Sequence, residues 1–575
     1  MIRLFRFLKP YRALIALVFL LVFIQSLANL YLPTLMADIV DNGIVKGDTN
    51  YILRVGGLML AVTVVGTVAA IISSYFAARI AIGFGRLIRG KLFTHVENFS
   101  LHEFDKMGTA SMITRTTNDT TQVQLVLVII LNMMISAPLM AIGGIILAIS
   151  QDATLAWVLV AAVPILVIAI LLIMMRAIPL FQVMQKKIDK LNLILDEGLT
   201  GVRVIRAFDR INHERRRFDD ANLDLTDTAI RVNRIVAGLM PIMMLVLNIS
   251  TVAILWFGSI RINNGDMQIG ALIAFLQYAM QILFAMLMLS MMFIMLPRAS
   301  ASATRINEVL AMEPEINDPD APEEANAERG YVEFENVTFS YPGAEEPAIS
   351  NISFSARPGE VTAIIGGTGS GKSTLVSLIP RFYDIDSGTI RVDGVDVRTM
   401  TQEDLRAKTG FVPQKAVLFS GTIADNIRYG KEDATEEEIR HAADVAQATE
   451  FISEMKDGLD SVIAQGGTNV SGGQKQRLSI ARALVRRPEI YVFDDSFSAL
   501  DFKTDARLRA ALKKETTNAT VFIVAQRVGT VMDADQIIVL DEGRIAGIGN
   551  HRELMETSTV YREIVSSQLS LEEIA

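Results

Sequence analysis

Six runs without a charged side chain set the frame for this chain: residues 13–37, 55–78, 123–150, 153–175, 235–260 and 267–297. A helix crossing roughly 30 Å of hydrocarbon needs about 20 residues, so each run is long enough to span a membrane. A cleaved signal peptide does not fit the first run, which is too long and is followed by further spans. Hydrophobic residues make up 51% of the 575 positions. Mean hydropathy is +0.36, high for a soluble protein. Ion-coupled pumps usually carry buried carboxylates or histidines inside their spans. None lies in these six runs, which points away from proton or sodium coupling.

Loop charge predicts the orientation. Residues 1–12 carry Arg3, Arg6, Lys9 and Arg12; residues 79–122 carry six Lys and Arg, and 176–234 carry twelve. The opposite loops hold only Lys46, Arg54 and Arg261. Positive residues favour the cytoplasmic side, so both termini and the two long segments are expected there, in a multi-pass protein of the cell membrane. The long segments read as spanning helices that continue into the cytoplasm and turn around short elements near 103–108 and 201–208. Methionine recurs at 267, 280, 286, 288, 291, 292 and 295, near Gln277, Tyr278 and Gln281. Two readings stay open for these methionines: a surface that accepts varied apolar ligands, or lipid-facing and packing positions.

The second half differs in charge and pattern. Residues 1–311 hold 27 Lys and Arg against 19 Asp and Glu, and the remainder holds 27 against 44. An acidic second half argues against nucleic acid as a partner. With no cysteine, disulfides, cysteine–zinc sites and thiol catalysis are excluded. Residues 312–329 are acidic and proline-bearing and read as a solvated linker. The expected organisation is an all-α six-helix transmembrane domain over 1–311, this linker, and an α/β P-loop ATPase domain over 330–575.

The P-loop assignment rests on residues 366–374, Gly-Gly-Thr-Gly-Ser-Gly-Lys-Ser-Thr, set between the apolar runs 361–365 and 375–379. That order predicts strand, glycine-rich loop and helix, and it fits G-x-x-x-x-G-K-[ST]. Glycines let backbone N–H groups close around phosphates, and the helix presents its positive end to them. Beyond it come Gln414, then Val470-Ser-Gly-Gly-Gln-Lys-Gln-Arg477 opening an amphipathic helix. Ile490–Asp494 reads as a buried strand followed by Asp495, and Ser498-Ala-Leu-Asp501 comes next. Another buried strand precedes Gln526.

This ordered set resembles the ATP-binding cassette, and with six spans ahead of it the whole chain resembles a half-size ABC exporter. The resemblance implies that two cassettes clamp two ATP molecules head to tail. Each site joins the phosphate loop of one chain to the Ser-Gly-Gly-Gln helix end of the other. It implies ATP contacts from Gly366, Gly367, Thr368, Gly369, Ser370, Gly371, Lys372, Ser373, Thr374 and Gln414. Tyr341 stacks on the adenine, and Ser373, Gln414 and Asp494 hold Mg²⁺. Ser471, Gly472, Gly473 and Gln474 serve the partner's ATP, while Ser498, Ala499, Leu500 and Asp501 form the loop between cassettes.

Two positions depart from the family pattern. The general-base position, a glutamate in the family, holds Asp495, and the histidine position holds Gln526. Aspartate is one methylene shorter, and a misplacement of about 1 Å costs on the order of 10²-fold. Glutamine cannot carry the positive charge of histidine. The expectation is a degenerate site that holds ATP and hydrolyses it slowly, in a chain that works with a second, different half-transporter. The substrates expected are hydrophobic or amphipathic compounds, several drugs among them. A lipid or peptide exporter and a non-catalytic regulatory subunit are the alternatives. A soluble P-loop ATPase acting on DNA is excluded by the six spans.

The absence of cysteine makes the orientation testable. Of single Gly47→Cys and Asn212→Cys variants in intact cells, only the first is expected to react with an impermeant thiol reagent. Labelling at position 212 from outside overturns the six-span reading.

Overall fold

An uncharged run in hydrocarbon finds no water for its backbone, so it must satisfy every N–H and C=O within itself. The computed structural model, which describes residues 2–323 and 329–568 without the side chains of 2, 290, 291, 293 and 294, meets that demand with helices throughout the first half. Among the described residues, six helices are long and apolar enough to cross a membrane. The reading of Met291 as cavity or packing lies outside the described side chains, as do residues 324–328 of the acidic stretch.

The chain divides into two compact units, Met1–Glu97 with Thr109–Met312, and Asn98–Gly108 with Glu313–Ala575. In the first, Thr49–Glu97 runs 49 residues and Ala156–Thr200 runs 45. At 1.5 Å per residue each is about 70 Å long, more than twice the hydrocarbon thickness. The expected turning elements are the short helices Leu101–Met107 and Val202–Ala207.

A few polar side chains fix how the spanning helices meet. The Tyr278 hydroxyl, fully buried, lies 2.6 Å from Thr34 Oγ1 and donates to the Leu30 carbonyl at 3.1 Å, tying the sixth span to the first. Gln281 Nε2 donates to the Asn29 carbonyl at 3.1 Å. These polar groups near the methionines are therefore engaged by the first helix. Met280 and Met295 are exposed and Met267 is buried, so the described methionines do not share one environment. Asp119, at the end of a π-helical stretch Arg115–Asp119, is buried and accepts from Ser302 Oγ at 2.8 Å and from the Arg305 guanidinium.

In the second unit, twelve strands among the described residues form a four-stranded antiparallel sheet, a six-stranded sheet and a small pair, β7 (Gly421–Thr422) with β8 (Val462–Ile463). The four-stranded sheet orders β2 (Ile349–Ala356), β1 (Val332–Phe339), β4 (Ser387–Val392) and β5 (Val395–Asp396). The six-stranded sheet orders β12 (Arg544–Gly549), β11 (Gln536–Asp541), β3 (Val361–Gly366), β10 (Thr520–Val524), β9 (Ile490–Asp494) and β6 (Thr409–Val412). All its pairings are parallel except β11 with β12. Parallel strands covered on both faces read as continuous apolar runs, and residues 490–493 do so. Ile490 and Val492 join one core cluster, Tyr491 and Phe493 the other.

The acidic stretch after the sixth helix is seated on this unit. Ile316 is buried, Asp318 Oδ1 accepts from the Gln402 N–H at 2.9 Å, and the Glu323 N–H donates to the Thr399 carbonyl at 2.9 Å. The Leu101–Met107 helix joins it. Glu103 completes a capping box with Ser100 and accepts from the Glu315 N–H at 3.2 Å, and His102 Nδ1 lies 2.7 Å from a Glu315 carboxylate oxygen.

Phe522 on β10 is fully buried, with its ring 6.3 Å from Phe354, which stacks on Phe334 at 4.6 Å. One aromatic chain thus bridges the two main sheets. Phe522→Ala is expected to destabilise this unit by about 3–5 kcal/mol. In thermal unfolding of the full-length protein in detergent, the lowest transition should drop well below that of Phe522→Leu; equal transitions overturn the bridge.

Candidate nucleotide site

Because β3, β9 and β10 run parallel in register, their carboxyl ends share one edge: Val524 pairs with Asp494 on one side and Ile364 on the other. The loop 366–371 leaves β3 at that edge and turns into the helix Lys372–Ser377. Two glycines have no substitute there. At Gly366 an added Cβ would sit 2.2 Å from the Leu540 carbonyl oxygen. Gly371 has φ +94° and would place a Cβ 2.7 Å from Ile349. Gly367 and Gly369 face open space, the room that a close-approaching phosphate needs.

Lys372 is buried, and its ammonium donates to the carbonyls of Gly366 at 3.0 Å and Gly367 at 2.6 Å. Burial pushes its pKa down, against the pull of the Asp495 and Asp494 charges. Ser370 Oγ is buried without a hydrogen-bond partner among the described residues. Ser373 Oγ donates to Asp494 Oδ1 at 2.8 Å. Burial pushes the Asp494 carboxyl up; the Ser373 hydrogen bond lowers it, and the nearby Asp495 charge raises it further.

Asp495 is the junction of the site. Its Oδ2 accepts from Gln414 Nε2 at 3.1 Å and from Gln526 Nε2 at 2.9 Å. Its φ of +46° lies in the left-handed region, which aspartate tolerates better than most residues. Gln526 is itself braced: Gln568 Nε2 donates to its carbonyl at 2.8 Å, and Gln568 Oε1 accepts from the Val528 N–H at 2.9 Å. Nothing in the sequence marks Gln568, which stands 42 residues away with no motif around it.

Tyr341 keeps 39% of its surface exposed, its hydroxyl 3.0 Å from Thr374 Oγ1. It meets Phe339 and Tyr383 edge to face, at 5.0 and 5.4 Å between ring centroids. Burial pushes the Tyr383 hydroxyl up to about 12, with Tyr341 and Asp105 adding to it. Ser471 caps the helix Gly472–Arg486 in a capping box with Gln474, whose side chain is occupied there. The helix N-terminus at Ser471 and Gly472 is exposed. A Cβ at Gly473 would lie 3.1 Å from the Ala499 carbonyl oxygen, so the signature abuts the 498–501 loop. That loop is fixed by Ser498 Oγ, which donates to the Asp495 carbonyl at 2.9 Å, and by Asp501, which caps Phe502–Glu515.

The donors present fit a magnesium-bound nucleoside triphosphate. They include a buried lysine, a glycine cradle with an orphaned buried hydroxyl, and a serine paired with a carboxylate. Six membrane-capable helices followed by this strand–loop–helix site define a membrane transport ATPase. Residues 15–286 match the ABC transporter transmembrane region and residues 349–498 match the ABC transporter domain. An uncharacterized ABC transporter ATP-binding protein of Mycobacterium tuberculosis (strain CDC 1551 / Oshkosh) is 46% identical, with 97% of each chain covered. The ATP-dependent lipid A-core flippase of Vibrio vulnificus (strain YJ016) is 29% identical over 98% of this chain and 96% of its own. A bacterial Atm1-family ABC exporter solved with ATP bound superposes with a TM-score of 0.81 at 26% identity, covering 97% of this chain and 98% of the other. The chain belongs to the ABC transporter family, with the fused transmembrane and ATP-binding domains of an exporter.

The buried lysine gives a signed pH prediction. Its lowered pKa means that the neutral amine appears at lower pH than the ordinary lysine value of about 10.4. ATP affinity is therefore expected to fall as pH rises toward that value, and Lys372→Arg should flatten the fall. Equilibrium binding across an alkaline series checks it. Parallel profiles for the two proteins overturn it.

Proposed function

We propose that this chain is one half of a heterodimeric exporter of hydrophobic or amphipathic compounds, with multidrug efflux as its role. Its own phosphate loop forms a slow site, and its signature helix completes the fast site of the other chain. The cassette faces the cytoplasm, as the loop charges favour. Lys372 meets the β- and γ-phosphates, and the 366–371 backbone cradles them. The open part of the Tyr341 ring stacks on adenine. Ser373, Gln414 and Asp494 hold Mg²⁺, which supplies positive charge against the phosphoryl oxygens. The exposed N-terminus at Ser471 and Gly472 supplies N–H groups to the other chain's γ-phosphate.

The observation that carries the slow site is the Asp495 junction. A general base must reach the attacking water. Here the shorter carboxylate accepts two amide donors on one oxygen, and neither donor can take up a proton. Two identical copies would place this arrangement in both sites, and a different partner relieves it. The need for a second chain is also supported by apolar faces left open on one copy. They include Val204 and Phe208 at the Val202–Ala207 helix, and Val417, Phe419 and Tyr429 on the cassette. Lipid export is the second reading, favoured by the lipid A-core flippase relative.

ATPase activity of the chain alone should be small beside that of the chain co-expressed with its partner. In the complex, Ser471 or Gly472 substitutions should abolish turnover, while Asp495→Asn costs much less than neutralising the partner's base. Restoring Asp495→Glu with Gln526→His should raise hydrolysis at this chain's site. Vigorous hydrolysis by the lone chain would falsify the heterodimer.

A further inference from the structure

The first twelve residues carry four cations, and the first carboxylate of the chain is Asp38. Residues Ile2–Tyr11 form a 3₁₀ helix that leads into the first spanning helix at Arg12. A 3₁₀ helix has three residues per turn, so positions three apart lie directly in line. Arg3, Arg6 and Lys9 therefore form one column, and Arg12 follows as the first residue of the α-helix. In an α-helix each step of three would turn the next cation by about 60° and scatter the four over half the circumference. All four are exposed, and no described carboxylate forms an ion pair with them.

The segment is firmly mounted. Leu4 is fully buried, and Tyr11 lies against Gly83 of the second helix, where a Cβ would sit 2.4 Å from the tyrosine oxygen. A second feature points to an anion. The Arg6 guanidinium lies 4.8 Å and Lys91 Nζ 5.4 Å from the centroid of the same Phe7 ring. Two cations converge there without a described carboxylate between them, and the attraction of each to the ring offsets only part of their repulsion.

We propose that the column Arg3–Arg6–Lys9, with Arg12 after it and Lys91 beside Phe7, is a binding surface for anionic phospholipid headgroups. The column runs directly into the uncharged stretch 13–37, so its occupant needs a charged head and an apolar body. An anionic lipid has both, and a basic segment beside a spanning helix is drawn to an anionic headgroup surface. The inference rests on the membrane fold and is independent of the substrate and of the second chain.

Native mass spectrometry of the full chain, purified from mixed phosphatidylglycerol and phosphatidylcholine, reads the occupant. Wild type is expected to retain phosphatidylglycerol preferentially and to lose it in high salt. Arg3→Gln/Arg6→Gln/Lys9→Gln should lower the retained ratio by at least about fivefold, consistent with the loss of three such contacts. Arg3→Lys/Arg6→Lys should keep it, and so should the control Arg203→Gln/Arg206→Gln/Arg210→Gln. Impermeant labelling at Gly47→Cys confirms that each variant is inserted correctly. Equal retention by the glutamine triple variant overturns the surface, as does displacement of the lipid by millimolar inorganic phosphate, which would mark a free-anion site.

Discussion

Parallel pairing in the six-stranded sheet is the constraint from which the site follows. When β3, β9 and β10 point the same way in register, whatever follows each strand must emerge at one edge. The glycine loop, the Asp494–Asp495 pair and Gln526 lie at or just after those strand ends, so Ser373 and Asp494, 121 residues apart in sequence, close to 2.8 Å. The helix after the loop adds its positive end at the same edge. Burial then does the electrostatic work, weakening the charge on Lys372 and Asp494 until a counter-charge restores it.

The parts legible in the sequence were those with a period or a fixed spacing. Spans declare themselves because hydrocarbon tolerates no compromise, and an apolar stretch of 25 residues without charge is too long for most buried helices of a water-soluble core. The 490–494 run read as a doubly covered strand for the same kind of reason. The Ser471–Gln474 spacing is also the S-x-x-Q of a capping box, so the signature helix begins where its side chains require.

The illegible parts depend on single polar groups meeting across long stretches of chain. Composition makes 312–329 look solvated, yet Asp318 finds the Gln402 backbone and Glu315 finds His102. The Leu101–Met107 helix belongs with the cassette unit although it lies between two membrane helices in sequence. Gln568 braces Gln526 with one amide group, which leaves no pattern to detect. The in-line column of Arg3, Arg6 and Lys9 depends on 3₁₀ winding, which a spacing of three does not specify by itself.

The shared oxygen of Asp495 has a consequence for how this site varies over time. Gln414 and Gln526 lie on separate loops and do not adjoin in sequence, but both donate to the same acceptor. Residues joined in one hydrogen-bond network do not contribute additively. An exchange at any of the three positions therefore changes what is tolerated at the other two. Positions 414, 495 and 526 then behave as a single coupled unit, and replacing Asp495 by glutamate and Gln526 by histidine passes through intermediates whose effect neither exchange alone foretells.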